Sequence, residues 1–177
     1  HGDLGVLAQQ PLEVRGELDP AIVAPCASLS EADLQLDRHP PVLASVGLTF
    51  AFAELQSVEA LGRATPNNTT FEDADARYPF EGDRFGLFIY ARADSDGRHL
   101  RARMFAPLIN VAEDPATGSA SAALAAYLAH LEGANSADFV IEQGVEMGRP
   151  SRLLCEAGER VRVTGDAVVV FQATVDL

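Results

Sequence analysis

One stretch of this chain constrains its fold more than any other. After Thr117 comes Gly-Ser-Ala-Ser-Ala-Ala-Leu-Ala-Ala-Tyr-Leu-Ala-His-Leu, in which Ala120, Ala123, Leu124, Tyr127, Leu128 and Leu131 recur at helical spacing, and Gly133 closes the run. The other faces of this helix are mostly alanine. A helix that is small or apolar all the way round offers water no face, so it must be packed on several sides at once. The expectation is a central buried helix over residues 119–131, enclosed by strands.

The sequence supplies those strands. Residues 139–143, 151–156, 160–163 and 168–171 are short apolar or β-branched runs, separated by turn residues at Gly144, Met147-Gly148-Arg149-Pro150, Gly158 and Thr164-Gly165-Asp166. Residues 85–93 and 100–105 flank Asp94-Ser95-Asp96-Gly97, which reads as a β-hairpin. Residues 42–55 are rich in β-branched and aromatic side chains but broken at Gly47, giving two strands or one bulged strand. Asp19 and Pro20 mark the cap and first position of a short helix, Ser30 begins another, and residues 57–63 form a third. The polar segment 65–81 reads as a connection with one helical turn over residues 71–76. The fold class is therefore α+β, a strongly curved mixed sheet wrapped around the central helix.

Composition narrows the function classes. A 47% hydrophobic and 22% charged chain of 177 residues has the material for a globular core. Its formal charge of −13 leaves no basic face for a phosphate backbone, so nucleic acid is not the expected partner. No apolar run is long enough to span a bilayer, and Cys26 and Cys155 lack metal-ligand spacing. We expect a reducing, cytoplasmic setting, no membrane partner, and neither a metal nor a cofactor. The Asn67 and Asn68 sequons read as turn residues, and a start at His1 suggests processing or truncation.

The chemistry concentrates where the helix begins, after Glu113-Asp114-Pro115-Ala116-Thr117-Gly118-Ser119. The first helical turn has N–H groups without intrahelical partners and the positive end of the dipole, so a carboxylate can dock there. Gly118 permits close approach, Ser119 adds a hydroxyl, and Glu113 and Asp114 are acid or base candidates. Asp, Thr and Ser are also ordinary cap residues, and residue types alone do not separate a helix cap from a ligand site.

Arg103-Met104-Phe105-Ala106-Pro107 followed by Glu113-Asp114-Pro115-Ala116-Thr117-Gly118-Ser119-Ala120 resembles the signature of the PhzF-like isomerases of the phenazine-biosynthesis family. Gln143-Gly144 and Met147-Gly148-Arg149-Pro150-Ser151 are similar to that family's C-terminal pattern. The resemblance covers residues 15–177. It implies the C-terminal domain of a two-domain protein, with residues 1–14 a remnant of a linker, tag or preceding domain. It further implies a diaminopimelate epimerase-like fold, in which two similar domains face each other across the active-site cleft.

By the same resemblance Asp114 and Ser119 match the family's active-site aspartate and serine, and Thr117, Gly118 and Ser119 would hold a substrate carboxylate. Pro115 stands where the thiol epimerases of this fold carry cysteine, so a two-thiol mechanism does not fit. The family's N-terminal glutamate base and its Gly-His turn are not found in this chain. His1, His39, His99 and His130 are read as surface residues, Cys26 and Cys155 as small buried hydrophobes, and Arg149 as a turn brace. The expected activity is a cofactor-independent isomerisation of a small anionic metabolite, completed by the N-terminal domain of the same protein in a homodimer. The alternative is a ligand-binding or dimerisation module without turnover.

Overall fold

The computed structural model describes residues 2–7, 10–79, 84–167 and 173–174. The chain opens with β1 (Gly2–Leu7) and β2 (Glu13–Glu17). In α1 (Pro20–Cys26) the Asp19 carboxylate accepts from the Ala21 N–H, as its sequence foretells. Ser30 begins only a 3-10 turn, Glu31–Asp33, because Leu34 leaves it at once to bridge Leu55. Residues 42–55 divide into β3 (Val42–Ser45) and β4 (Thr49–Glu54). Ser57 caps α2 (Val58–Arg63).

The next segment corrects the sequence reading: α3 (Asn68–Arg77) is a ten-residue helix where one turn was expected. Its polar surface conceals the signal, which is carried by two buried residues three apart, Phe71 and Ala74, with the Phe71 ring edge-on to Phe85 at 5.8 Å. The hairpin of β5 (Leu87–Arg92) and β6 (His99–Ala106) turns where predicted, with the Asp94 carboxylate accepting from the N–H groups of Gly97 and His99. A short strand the sequence did not suggest, β7 (Val111–Asp114), precedes α4 (Gly118–Leu131). Then come β8 (Ala137–Gln143), β9 (Ser151–Ala157) and β10 (Arg162–Ala167). The strand expected at residues 168–171 lies outside the described residues.

The ten strands among the described residues join one sheet in the order β1-β10-β9-β8-β6-β5-β4-β3-β2, with β7 added on β6. The pairings β4–β5 and β6–β8 are parallel and the others antiparallel. Among the described residues the two ends of the path, β1 and β2, are consecutive in sequence but do not pair, and the sheet curls around α4 without closing.

The sheet's inner face packs on α4. Ala120 to Ala125 are all buried, and Phe52, Phe88, Leu100 and Phe139 from four strands surround them. On the outer face of β4 and β5, Ala51, Ala53, Leu87 and Ile89 meet a second core made with α1, α2 and α3. Both faces of these two central strands are thus covered, which is why they read as unbroken apolar runs, whereas β8 and β9 alternate buried and exposed. Among the described residues no helix is long and apolar enough to cross a membrane.

His39 is the second correction, because it is 4% exposed rather than on the surface. Its neighbours explain this. Nδ1 lies 2.7 Å from the Pro40 carbonyl oxygen, which can only accept, so Nδ1 carries the proton. Nε2 is 2.6 Å from the Tyr90 hydroxyl, which stands 3.1 Å from Glu54 Oε2. The buried Glu54 carboxylate also accepts from Arg38 and from Arg92 at 3.2 Å. The Tyr127 ring of α4 meets the imidazole edge-on at 5.2 Å, so this polar cluster ties the central helix to β4 and β5. His99 and His130 are exposed, as read, and His1 lies outside the described residues. Both cysteines are buried; desolvation pushes the Cys26 thiol up to about 11 and Cys155 up to about 12.

Two outcomes follow from this packing. Ala123→Leu, which forces methylenes against Phe-lined walls, should lower unfolding free energy by about 1–3 kcal/mol in urea titration. Burial lowers the His39 pKa, aided by the Arg92 and Arg38 charges and opposed by the Pro40 hydrogen bond and Glu54. The folded state therefore binds the proton later than the unfolded chain. Stability from this group is complete above the ordinary histidine pKa of about 6.5 and is lost as pH falls through it towards the folded value. Urea midpoints measured from about pH 7.5 down to 5 should decline, and His39→Gln should flatten that decline.

Candidate functional site

The loop that leads into α4 is built from β6 outward. The Arg103 side chain, on β6, is 8% exposed, and its guanidinium pairs with Glu113 through two bonds of 2.8 Å, Nε to Oε1 and Nη2 to Oε2. Its Nη1 donates to the Leu61 and Ala64 carbonyls at 3.1 and 2.7 Å, where α2 ends. One side chain thus pins β7 and the end of α2 to the same strand. Glu113, an acid or base candidate from its sequence position, is occupied by that ion pair. Its neighbour Asp114 pairs across to Met104 and points the chain into the Pro115–Thr117 loop.

That loop is held by hydrogen bonds among three residues. The Thr117 hydroxyl donates to Asp114 Oδ2 at 2.6 Å. Gln143, at the end of β8 and fully buried, accepts from the Thr117 N–H through Oε1 at 3.0 Å. Its Nε2 donates to the Asp114 carbonyl at 2.6 Å and to the Thr117 hydroxyl oxygen at 2.9 Å. Gly144 follows with φ +76°, and a Cβ there would meet the Arg149 carbonyl and lie 2.9 Å from the Pro115 carbonyl oxygen. Only glycine lets the two loops approach so closely. The backbone N–H of Arg149 closes this turn by donating to the Gly144 carbonyl at 2.9 Å.

Beyond the loop lies a cavity of about 590 Å³. Gly118, Ser119 and Ala122 form one wall, the Val46–Gly47–Leu48 turn between β3 and β4 a second, and β9 and β10 around Leu153 and Thr164 a third. No charged side chain lines it among the described residues. Ser119 is exposed, and among the described residues no side chain caps the first turn of α4, which begins at the cavity wall.

Of the four residues to which the family resemblance gives a site role, Gly118 and Ser119 line the cavity, whereas Asp114 and Thr117 sit in the loop beside it and bond to each other. Sequence reasoning did not find the roles of Arg103 and Gln143, nor the cavity walls from residues 46–48 and 163–165. Arg103 and Gln143 both stand in recognised motif segments, but their partners lie 10 to 42 residues away along the chain.

The family model of the phenazine biosynthesis-like proteins, PhzC-PhzF, matches residues 3–173. The chain belongs to this family. An uncharacterized isomerase of Bacillus subtilis (strain 168) is 31% identical over 157 residues, covering 86% of this chain and 52% of that protein. The trans-2,3-dihydro-3-hydroxyanthranilate isomerases of Pseudomonas aeruginosa and Pseudomonas chlororaphis are 37% and 42% identical, over 77% and 74% of this chain and 47% and 46% of theirs. The chain spans about half the length of the curated relatives it matches.

Among solved structures, a PhzF-family phenazine biosynthesis protein of Bacillus anthracis superposes with a TM-score of 0.77 at 20% identity, over 92% of this chain and 57% of that one. A "Predicted Epimerase" of Pseudomonas aeruginosa gives 0.71 at 31% identity, over 96% and 59%. The diaminopimelate epimerase-like fold is thus shared, here with the sheet left open. Within this PhzF-like frame Arg103 should behave as a buried structural cation. Arg103→Met leaves Glu113 and two carbonyls without a donor and should cost about 3–5 kcal/mol in denaturant unfolding. Arg15→Met, which breaks an exposed pair on an edge strand, should cost under about 1 kcal/mol.

Proposed function

We propose that this chain is the C-terminal half of a PhzF-like isomerase, and that it supplies the carboxylate-binding wall and one proton-handling group of a site completed by a partner half. The observation that carries this reading is that Gly118 and the exposed Ser119 line the cavity where α4 begins, with the Asp114 carboxylate held in the adjoining loop, on the motif that carries the family resemblance. The first-turn N–H groups and the positive end of the helix suit a carboxylate. The apolar remainder of the cavity suits an uncharged body attached to it. Thr117 contributes through its backbone position, since its N–H and hydroxyl are already bonded within the protein.

In the proposed reaction Asp114 exchanges a proton with the substrate while a glutamate of the partner half, absent from this sequence, serves at the other carbon, and a double bond migrates between them. Negative charge developing at the carboxylate end is stabilised by Ser119 and the N–H groups beside Gly118. Pro115 removes the thiol route. Leu48, 55% exposed at the cavity, supports a covering surface there, and in this reading the site lies in the cleft between the two halves of one protein, which is itself a cytoplasmic homodimer. Neither a metal nor an organic cofactor has a part in this scheme. Were the partner half never present, the same wall would bind a small anion without turning it over.

The relatives' names supply the first substrate to try, trans-2,3-dihydro-3-hydroxyanthranilate. In the complete protein Asp114→Asn should lower kcat/KM by about 100-fold or more while changing unfolding free energy by less than about 1 kcal/mol. Unchanged turnover in that variant, on a substrate the wild type isomerises, would remove Asp114 from the mechanism.

A further inference from the structure

We infer that Gln143 is a positioning residue for Asp114: by fixing the direction of one hydroxyl proton, it commits one carboxylate oxygen to the protein and leaves the other to the substrate. The inference rests on the reading of Asp114 as a proton-handling group, but its geometric core is independent of it. Direction is usually ambiguous for a side-chain amide and for a hydroxyl. Here it is not. The Thr117 backbone N–H can only donate, so the Gln143 atom facing it at 3.0 Å is Oε1. The Asp114 carbonyl can only accept, so the atom facing it at 2.6 Å is Nε2. The same Nε2 donates its second hydrogen to the Thr117 hydroxyl oxygen at 2.9 Å.

With its oxygen already accepting from Gln143, the Thr117 hydroxyl directs its single proton to Asp114 Oδ2, 2.6 Å away. The line therefore runs one way, from amide to hydroxyl to carboxylate. Among the described residues no hydrogen bond reaches Oδ1, which is left as the oxygen able to exchange a proton outside the loop. Gln143 is fully buried and both ends of its amide are used, so it cannot swing aside when a ligand arrives. Gly144 completes the clamp by admitting the Pro115 carbonyl.

Gln143→Glu tests this with almost no change of shape. One carboxylate oxygen still accepts from the Thr117 N–H, but the other faces the Asp114 carbonyl with no proton to offer and draws the Thr117 hydroxyl proton to itself. Wild-type protein should show the Thr117 hydroxyl proton by NMR as a slowly exchanging signal with a nuclear Overhauser contact to the Gln143 amide protons, and Gln143→Glu should lose it. With trans-2,3-dihydro-3-hydroxyanthranilate as probe, kcat should fall on the order of 10-fold to 100-fold in Gln143→Glu with KM moving less than about threefold. Should that variant not fold, Thr117→Val and Thr117→Ser carry the same test: valine should reproduce the kcat loss and serine should restore kcat to within about threefold of wild type. A hydroxyl signal that survives Gln143→Glu, or kcat unaffected by both Gln143→Glu and Thr117→Val, overturns the inference. If wild-type protein does not turn the probe over, the isomerase reading for this substrate falls alone, and the hydroxyl signal decides the inference about Gln143.

Discussion

α4 presents alanine where a surface helix would present charge, and the architecture is the set of ways its sides are covered. From Ala120 to Ala125 each residue is buried, so no single sheet face or neighbouring helix suffices. A sheet that curls can reach several sides of one helix, and curling is what a twisted sheet of many strands does when its inner face must follow a cylinder. Small side chains let the strands come close, and large rings on β4, β5 and β8 fill the remaining space. The outer face of the curled sheet is left apolar at β4 and β5, which is why α1, α2 and α3 are needed as a second layer.

Among the described residues two charged side chains, Glu54 and Arg103, are buried, and each bonds to several elements. Glu54 is buried, and its Oε1 accepts from both Arg38 and Arg92, with the Tyr90 hydroxyl 3.1 Å from Oε2. Through Tyr90 and His39 the same cluster touches Tyr127 on α4. Arg103 joins the end of α2 to β7. Such groups add little net stability compared with apolar replacements of equal volume, but removing one partner is costly, and their geometry selects one registry of the layers.

The elements legible in the sequence were those whose signal is local. Asp19 and Pro20 announce α1, Asp94 to Gly97 announce the hairpin, and the alanine-rich run with Gly133 announces α4, because capping, turn formation and periodicity all act within a few residues. α3 was short in the sequence reading because Phe71 and Ala74 alone face the core and eight polar or small neighbours surround them. His39 read as a surface residue because nothing near it in sequence reveals Tyr90 or Glu54, which reach it only after β4 and β5 pair. The candidate site divides in the same way. Asp114, Thr117, Gly118 and Ser119 were legible as one segment, whereas the remaining cavity walls come from turns and strands brought there by the sheet.

The property that requires α4 to be enclosed also produces the opening at its start. Residues 120–125 are all buried, but at Gly118 a Cβ would meet no atom within 4 Å, and Ser119 is exposed. Among the described residues β1 and β2 do not pair, and the Val46–Leu48 turn lines the cavity opposite the start of α4. Larger residues at Gly118 and Ala122 would fill the space and cover the first N–H groups. A small-residue helix inside an unclosed sheet therefore leaves one end of its backbone available, and Gln143 holds the Asp114 loop rigidly beside that end.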